Sequence, residues 1–377
     1  MANSLIGLLP TLYEAMDTVP REMVGFIPSV AMDASAERAA LNQQILVPIT
    51  PASQAVNITP GVTAPNTGDQ IIGNTAITIT NSMGVPFRWT GEDQKGLNTG
   101  PGYSKIKSDQ VTQAFRTLCN LVEATTAQTA QLGASRATGA AGTTPFATNL
   151  GASAQARKVL SDNGAPLSDI HLTMNTTAGA AMRTLLQLTA VNEAGDDSLL
   201  RQGVLMDVHG FELRESAQIL ETTKGLGAGY VTSGAPAGST TIPLTTGTGT
   251  VVPGDVVSFA GDPNLYIVNT GIAAPGSISI NKPGLLTTLA PNSVMSIGAD
   301  YAPNLAYHRN AIALVTRAPA LPIEGDMAVD RTTIIDPRSG LAFDVSMYAQ
   351  YRQVYYEVSL AWGAAAVKPE HITTVLG

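Results

Sequence analysis

The chain has 377 residues and a formal net charge of −8; only 13% of its residues are charged, and it holds a single cysteine, Cys119. One cysteine excludes an internal disulfide, four scattered histidines offer no zinc-type spacing, and 21 basic residues without a run argue against a protein that grips phosphate backbones. Soluble proteins average about 25% charged residues, and charge is depleted where subunits cover one another, so much of this surface reads as interface.

Residues 1–48 mix short helical patterns with Pro10, Pro20 and Pro28 and read as an arm of short pieces. The opening MANSLIGLLP has no basic stretch before its apolar run, and no segment reaches the roughly 18 apolar residues of a membrane span. Neither export nor a membrane is therefore expected, and the chain is expected to fold in the cytoplasm. From Thr50 to Gly73 runs a Pro- and Gly-rich connection with one charge, of a length uncommon in compact domains unless functional. NTAITITNSMGVPFRWTGED then alternates through Ala76, Thr78 and Thr80, and Met83-Gly84 reads as the turn into a second strand ending at Trp89. Such a two-stranded hairpin is marginal alone in water and needs a neighbour to lie on.

Ser108 is placed to cap a helix of about 25 residues, in which Val111, Phe115, Leu118, Leu121 and Val122 recur at three- and four-residue spacing. Cys119 falls beside that stripe as a buried structural thiol. SAQARKVLSDNGAP predicts a second helix, DIHLTMN a strand, TAGAAMRTLLQLT a third helix, and GVLMDVHGFELRES two strands flanking His209-Gly210. Between Thr222 and about Pro303, five short strands separated by Gly, Pro and Asn turns predict a small all-β module, with VVPGDVVSFAGD its clearest piece. The closing sequence alternates through Val345 to Tyr351 and again through Val354 to Leu360, predicting long strands with a bulge or turn near Arg352. The whole reads as an α+β body with an inserted module whose two ends must lie close together.

Candidate chemistry is sparse. Gly225, Gly227 and Gly229 lack the strand before and helix after that a phosphate loop needs, so they read as a linker. Asp326, Asp330 and Asp336 fit no calcium loop and read as turn residues. His171, His209, His308 and His371 have no Ser or Cys elbow nearby. The sequons at Asn57 and Asn175 matter only in a secreted protein.

The order of these parts, with VVPGDVVSFAG in the module, NLAYHRNAIALVTRAPALP directly after it and SLAWGAAAVKPEHITTVLG at the C-terminus, resembles the major capsid proteins of tailed bacteriophages. Those proteins share the Johnson or HK-ninety-seven-like fold. More narrowly, the chain is similar to the branch of the phage P-twenty-two coat protein, which carries a β-barrel insertion domain. The insertion here is short and glycine-rich, unlike members with a long loop between capsomers.

The resemblance implies an N-terminal arm (1–48), an E-loop hairpin lying over the adjacent subunit (49–105), and a spine helix with part of the peripheral and axial body (106–221). An inserted small β-barrel (222–303) and return strands of the peripheral and axial body (304–377) follow. It implies no catalysis and no cofactor. Function is then assembly: hexamers and pentamers of this chain, made in the host bacterial cytoplasm, close into an icosahedral virion shell around double-stranded DNA. Scaffolding, portal and decoration proteins are further partners, the DNA lies in weak, non-specific proximity, and no membrane is involved. Subunit contacts are expected at Arg88, Trp89, Glu92 and Tyr103 around the hairpin and at Asp336 and Arg338 before the closing strands. The rival reading is a secreted or surface β-rich adhesin, which the low charge and abundant Thr and Gly also suit.

Overall fold

The structure, a computed structural model, describes residues 25–49, 72–97, 103–189, 207–335 and 340–377, with single positions 55, 57, 58, 60 and 205. Among these residues the strands form sheets of six, eleven and two. The helix α1 (Gly91–Leu97) is short, and α2 (Tyr103–Leu132), at 30 residues, is about 45 Å long at 1.5 Å per residue. α2 begins five residues before the cap expected at Ser108, because Ile106 adds one more apolar position packed on the same core. Val111, Phe115, Leu118, Cys119 and Val122 are buried, and Phe115 meets Phe343 edge-on at 4.7 Å. Thr112, Thr117, Thr125, Thr126 and Thr129 each donate a hydroxyl to the carbonyl four residues back, at 2.8–3.0 Å. The helix thereby satisfies these threonine hydroxyls internally.

In the six-stranded sheet, β18 (Gln353–Ala366) is the axis. β17 (Ala342–Gln350) and β15 (Ile312–Pro319) follow one another along one side of it, and β4 (Asn81–Thr90) pairs along the other. β16 (Asp330–Ile335) and β1 (Ala31–Ala39) complete the sheet. Residues 31–39, read from the sequence as part of an arm of helical pieces, are thus a strand parallel to β15. The partner strand, rather than alanine propensity, decides that segment's state.

Met83-Gly84 is not a turn. Both residues lie inside β4, Gly84 sits opposite Ser359, and a Cβ at position 84 would meet Glu357 Oε1 at 2.3 Å. Glycine leaves room there for the Glu357 side chain. The two-stranded ribbon instead joins β2 (Gln44–Ile49) to β3 (Gly73–Thr78). Its root, Ile77 and Ile79, is buried against Val315 and Ala361, whereas Gly73 and Asn74 are exposed, so the ribbon leaves the body as it runs outward.

The eleven-stranded sheet begins in the body with β5 (Arg136–Thr138), β6 (Ile170–Met174), β7 (Phe211–Glu215), β14 (Pro303–His308) and β19 (Ile372–Leu376). α3 (Gly151–Asp162) packs across β19 and β5. The third predicted helix divides into α4 (Thr176–Arg183) and a single turn, α5 (Leu186–Thr189). Of the two strands expected around His209-Gly210, β7 follows the turn, and before it Val208 makes only an isolated bridge to Phe211.

The rest of that sheet is the predicted module, with six strands rather than five: β8 (Ala228–Thr232), β9 (Thr241–Thr248), β10 (Val256–Phe259), β11 (Leu265–Thr270), β12 (Gly276–Ile280) and β13 (Met295–Ile297). They enclose a core of their own around Tyr230, Ile242, Phe259 and Tyr266. The turn before β10 is made by Pro253 and Gly254 at φ 93°, and the Asp255 carboxylate fixes it by accepting the N–H of Val252 and of Gly225, each at 2.8 Å. The module's ends lie together: Thr222 and Tyr301 exchange both backbone hydrogen bonds, at 2.8 and 3.2 Å. The junction is more than a pair of linkers, because β11 pairs with β5 and makes one ladder run from body to module. The Asn281 amide caps the end of α2 by donating to Leu132 O at 2.6 Å and Ala134 O at 2.9 Å.

Candidate assembly surfaces

The first surface lies where α1 starts. The β17–β18 hairpin turns at Tyr351-Arg352, with Arg352 at φ 56°, and between that turn and α1 lies a cleft of about 730 Å³ lined by Trp89, Glu92, Gln94, Tyr351 and Arg352. Tyr351 is 88% exposed, and the Arg352 guanidinium lies 5.8 Å from its ring centre. Tyr and Arg are the residue types that carry binding energy at protein contacts, and sequence reasoning did not select either here. The alternating pattern located the turn, but exposure at its tip is a tertiary property.

The structure brings Trp89 and Glu92 to this cleft. Glu92 is exposed, whereas Trp89 is 8% exposed and its indole N–H donates to Gln110 Oε1 at 2.8 Å. Trp89 therefore ties β4 to α2 from inside the core. Arg88 is exposed and sits opposite Tyr355 in the ladder. Tyr103 opens α2. Asp336 and Arg338 lie outside the described residues.

A second surface is the loop between β15 and β16. Ile323 is fully exposed and Met327 nearly so, on a turn made at Gly325. Charge anchors the base of this loop. Asp326 pairs with Arg331, whose Nε lies 3.3 Å from Asp344 Oδ2, and Arg38 reaches both Asp344 oxygens at 3.0 and 3.2 Å. The Arg331 hydrogen bond holds the Asp326 carboxyl below its ordinary range. Asp326, read from sequence as a plain turn residue, is thus the anchor of the loop. Glu357 borders the adjoining cleft of about 300 Å³, and burial pushes its carboxyl up.

Among the described residues no group of His, Cys, Asp and Glu could hold a metal ion, and no helix is long and apolar enough to cross a membrane. Both surfaces offer exposed apolar and aromatic groups above well-anchored backbone, an arrangement suited to contact with another protein surface.

No protein-family model matches the sequence, and no curated protein matches it. Among solved structures, the chain superposes on the capsid structure of the cyanophage P-SCSP1u with a TM-score of 0.51, at 12% identity over 92% of this chain and 86% of that one. A Mycobacterium phage Che8 structure gives 0.47 at 12% identity, covering 89% of this chain and 85% of that one. The mature capsid of bacteriophage PhiM1 gives 0.45 at 13% identity, covering 93% and 86%. The first of these likenesses defines the class: the chain has a phage-capsid fold, sheet-rich with few helices.

Proposed function

We propose that this chain is the major capsid protein of a tailed phage, a structural protein without catalytic activity that assembles into the icosahedral shell around double-stranded DNA. The observation that carries the reading is the shared fold with the cyanophage capsid protein across 92% of the chain. In this reading the β2–β3 ribbon and its connection are the E-loop, α2 is the spine helix, and β8–β13 are an insertion domain of the kind found in the phage P-twenty-two branch. The Tyr351-Arg352 turn and the Ile323–Met327 loop then meet neighbouring copies in hexamers and pentamers. Scaffolding, portal and decoration proteins are the further partners, DNA is contacted weakly, and the protein ends in the virion after synthesis in the host cytoplasm.

Repeated weak contacts closing a symmetric shell explain how a chain with 13% charged residues presents exposed Ile, Met and Tyr. Electron microscopy of the purified full chain across a series of salt and protein concentrations tests this. Closed shells or capsomer rings are expected, and monomers under every condition overturn it.

A further inference from the structure

A groove of about 390 Å³ runs along α2 between Leu121 and Leu132. Its opposite wall is the strap of residues 218–222, and Pro253 and Pro303 close it at the module junction. Glu221 is the single charged residue among the described ones that line it, and Leu220 is 72% exposed along it. Thr and Gln side chains are interspersed with Leu121, Leu132, Ile219 and Leu220 along it, and the apolar part of such a surface gains stability when covered.

The point where the described chain begins lies close to it. Fully buried Glu123, on α2, accepts the N–H groups of Gly25 at 2.6 Å, Phe26 at 2.7 Å and Ile27 at 3.1 Å. Arg309 holds the next carbonyl, that of Pro28, at 2.9 Å. Glu123 lies one helical turn before Ala127 of the groove wall. Gly25 abuts Ser216, since a Cβ on it would sit 3.0 Å from Ser216 Cβ, and the strap starts two residues later at Gln218. Gly25, where the described chain begins, thus lies close to the start of the strap that walls the groove.

The stretch before Gly25 is 24 residues long; its first sixteen, MANSLIGLLPTLYEAM, carry a single charge, Glu14, and the eight next to Gly25, DTVPREMV, carry three, Asp17, Arg21 and Glu22. The groove measures about 17 Å along α2 at 1.5 Å per residue, a span that six extended residues cover at roughly 3.3 Å each. Twenty-four residues exceed that span severalfold, so the apolar residues 5–12, LIGLLPTL, can reach the groove with the charged 17–24 as the connection. We propose that this groove is the docking site of residues 1–24 of the same chain. Both partners belong to one polypeptide, so the proposal does not rest on the shell reading.

The test uses the full chain with Cys119→Ala, pairing Leu9→Cys with Leu220→Cys, and as control pairing Leu9→Cys with the equally exposed Leu186→Cys, which does not line the groove. After mild oxidation of dilute protein, peptide mass spectrometry is expected to find the 9–220 disulfide within single chains and no 9–186 bond. A 9–220 bond found only between chains, or both pairs bonding equally, overturns the proposal. A second measurement does not depend on the cysteine variants folding: hydroxyl-radical footprinting of the otherwise native chain with Leu8, Leu9 and Leu12 changed to Ser. Labelling of Leu121 and Leu220 is expected to rise several-fold, and unchanged labelling overturns the proposal.

Discussion

The β5–β11 seam and the β2–β3 ribbon are both antiparallel pairings that join distant parts of the chain, and they are finished in opposite ways. At the seam, polar groups find partners within the chain: Asn281 on the carbonyls of Leu132, the last residue of α2, and of Ala134 just beyond it, Arg136 on Asn163 Oδ1 at 2.9 Å, and Tyr301 on Gly254 O at 2.6 Å. Along the ribbon, Leu46 and Ile72 remain exposed beyond the buried root. The difference lies in where partners are found. In the seam and in α2, neutral side chains such as Asn281 and the threonines and charged ones such as Arg136 and Glu123 find hydrogen-bond partners within the chain; on the ribbon and the exposed turns, apolar side chains stay uncovered in the single chain.

The comparison can be broken by substitution, and the largest effect is expected at the body that supports both regions. Trp362 is 1% exposed, and its carbonyl accepts the Thr80 N–H at the ribbon root. Trp362→Ala is expected to cost about 3–5 kcal/mol in chemical denaturation, as large-to-small core changes do. A loss below 1 kcal/mol would show the root to be loosely packed.

At the seam, Asn281→Ala strands two helix-end carbonyls and is expected to cost about 1–3 kcal/mol. Differential denaturation monitored on both body and module should show the two losing stability together; a module that unfolds alone at lower denaturant contradicts a continuous ladder. On the ribbon, Leu46→Ser is expected to change the stability of the single chain by no more than about 0.5 kcal/mol. Assembly followed by light scattering is nevertheless expected to fall, and unimpaired assembly would remove the ribbon's apolar edge from the contacts.

The smallest effect concerns pH. Burial lowers Lys107 from 10.5 to about 8, where its ammonium donates to Tyr356 Oη at 2.8 Å. Between pH 8 and 10.5 the unfolded chain holds a proton that the folded chain has released, so this group makes stability rise with pH through that window; below pH 8 its cost is fully present. Lys107→Met is expected to flatten the rise, checked as the difference between variant and native melting midpoints at pH 8 and pH 10. An identical slope in both proteins would mean that Lys107 is not desolvated.

Much of the fold is legible where local periodicity and tertiary demand agree. The stripe Val111–Phe115–Leu118–Val122 marks the buried face of α2, and the turn residues at Pro253-Gly254 and Arg352 lie where the chain reverses. The surfaces are less legible. Trp89 resembles a contact residue in sequence because aromatic type says nothing about which side of β4 faces α2, and Tyr351 reads as one more alternating position until the hairpin carries it to a tip.

By itself the amino-acid order determined the helix faces, the β character of the module and the low charge content, because spacing, turn chemistry and composition are local or summed properties. Only the tertiary structure decided that residues 31–39 pair with β15, that Gly84 admits Glu357 rather than turning the chain, and that β5 and β11 join body to module. Strand partners and close approaches depend on residues more than a hundred positions apart, and no window along the chain contains both sides of such a contact.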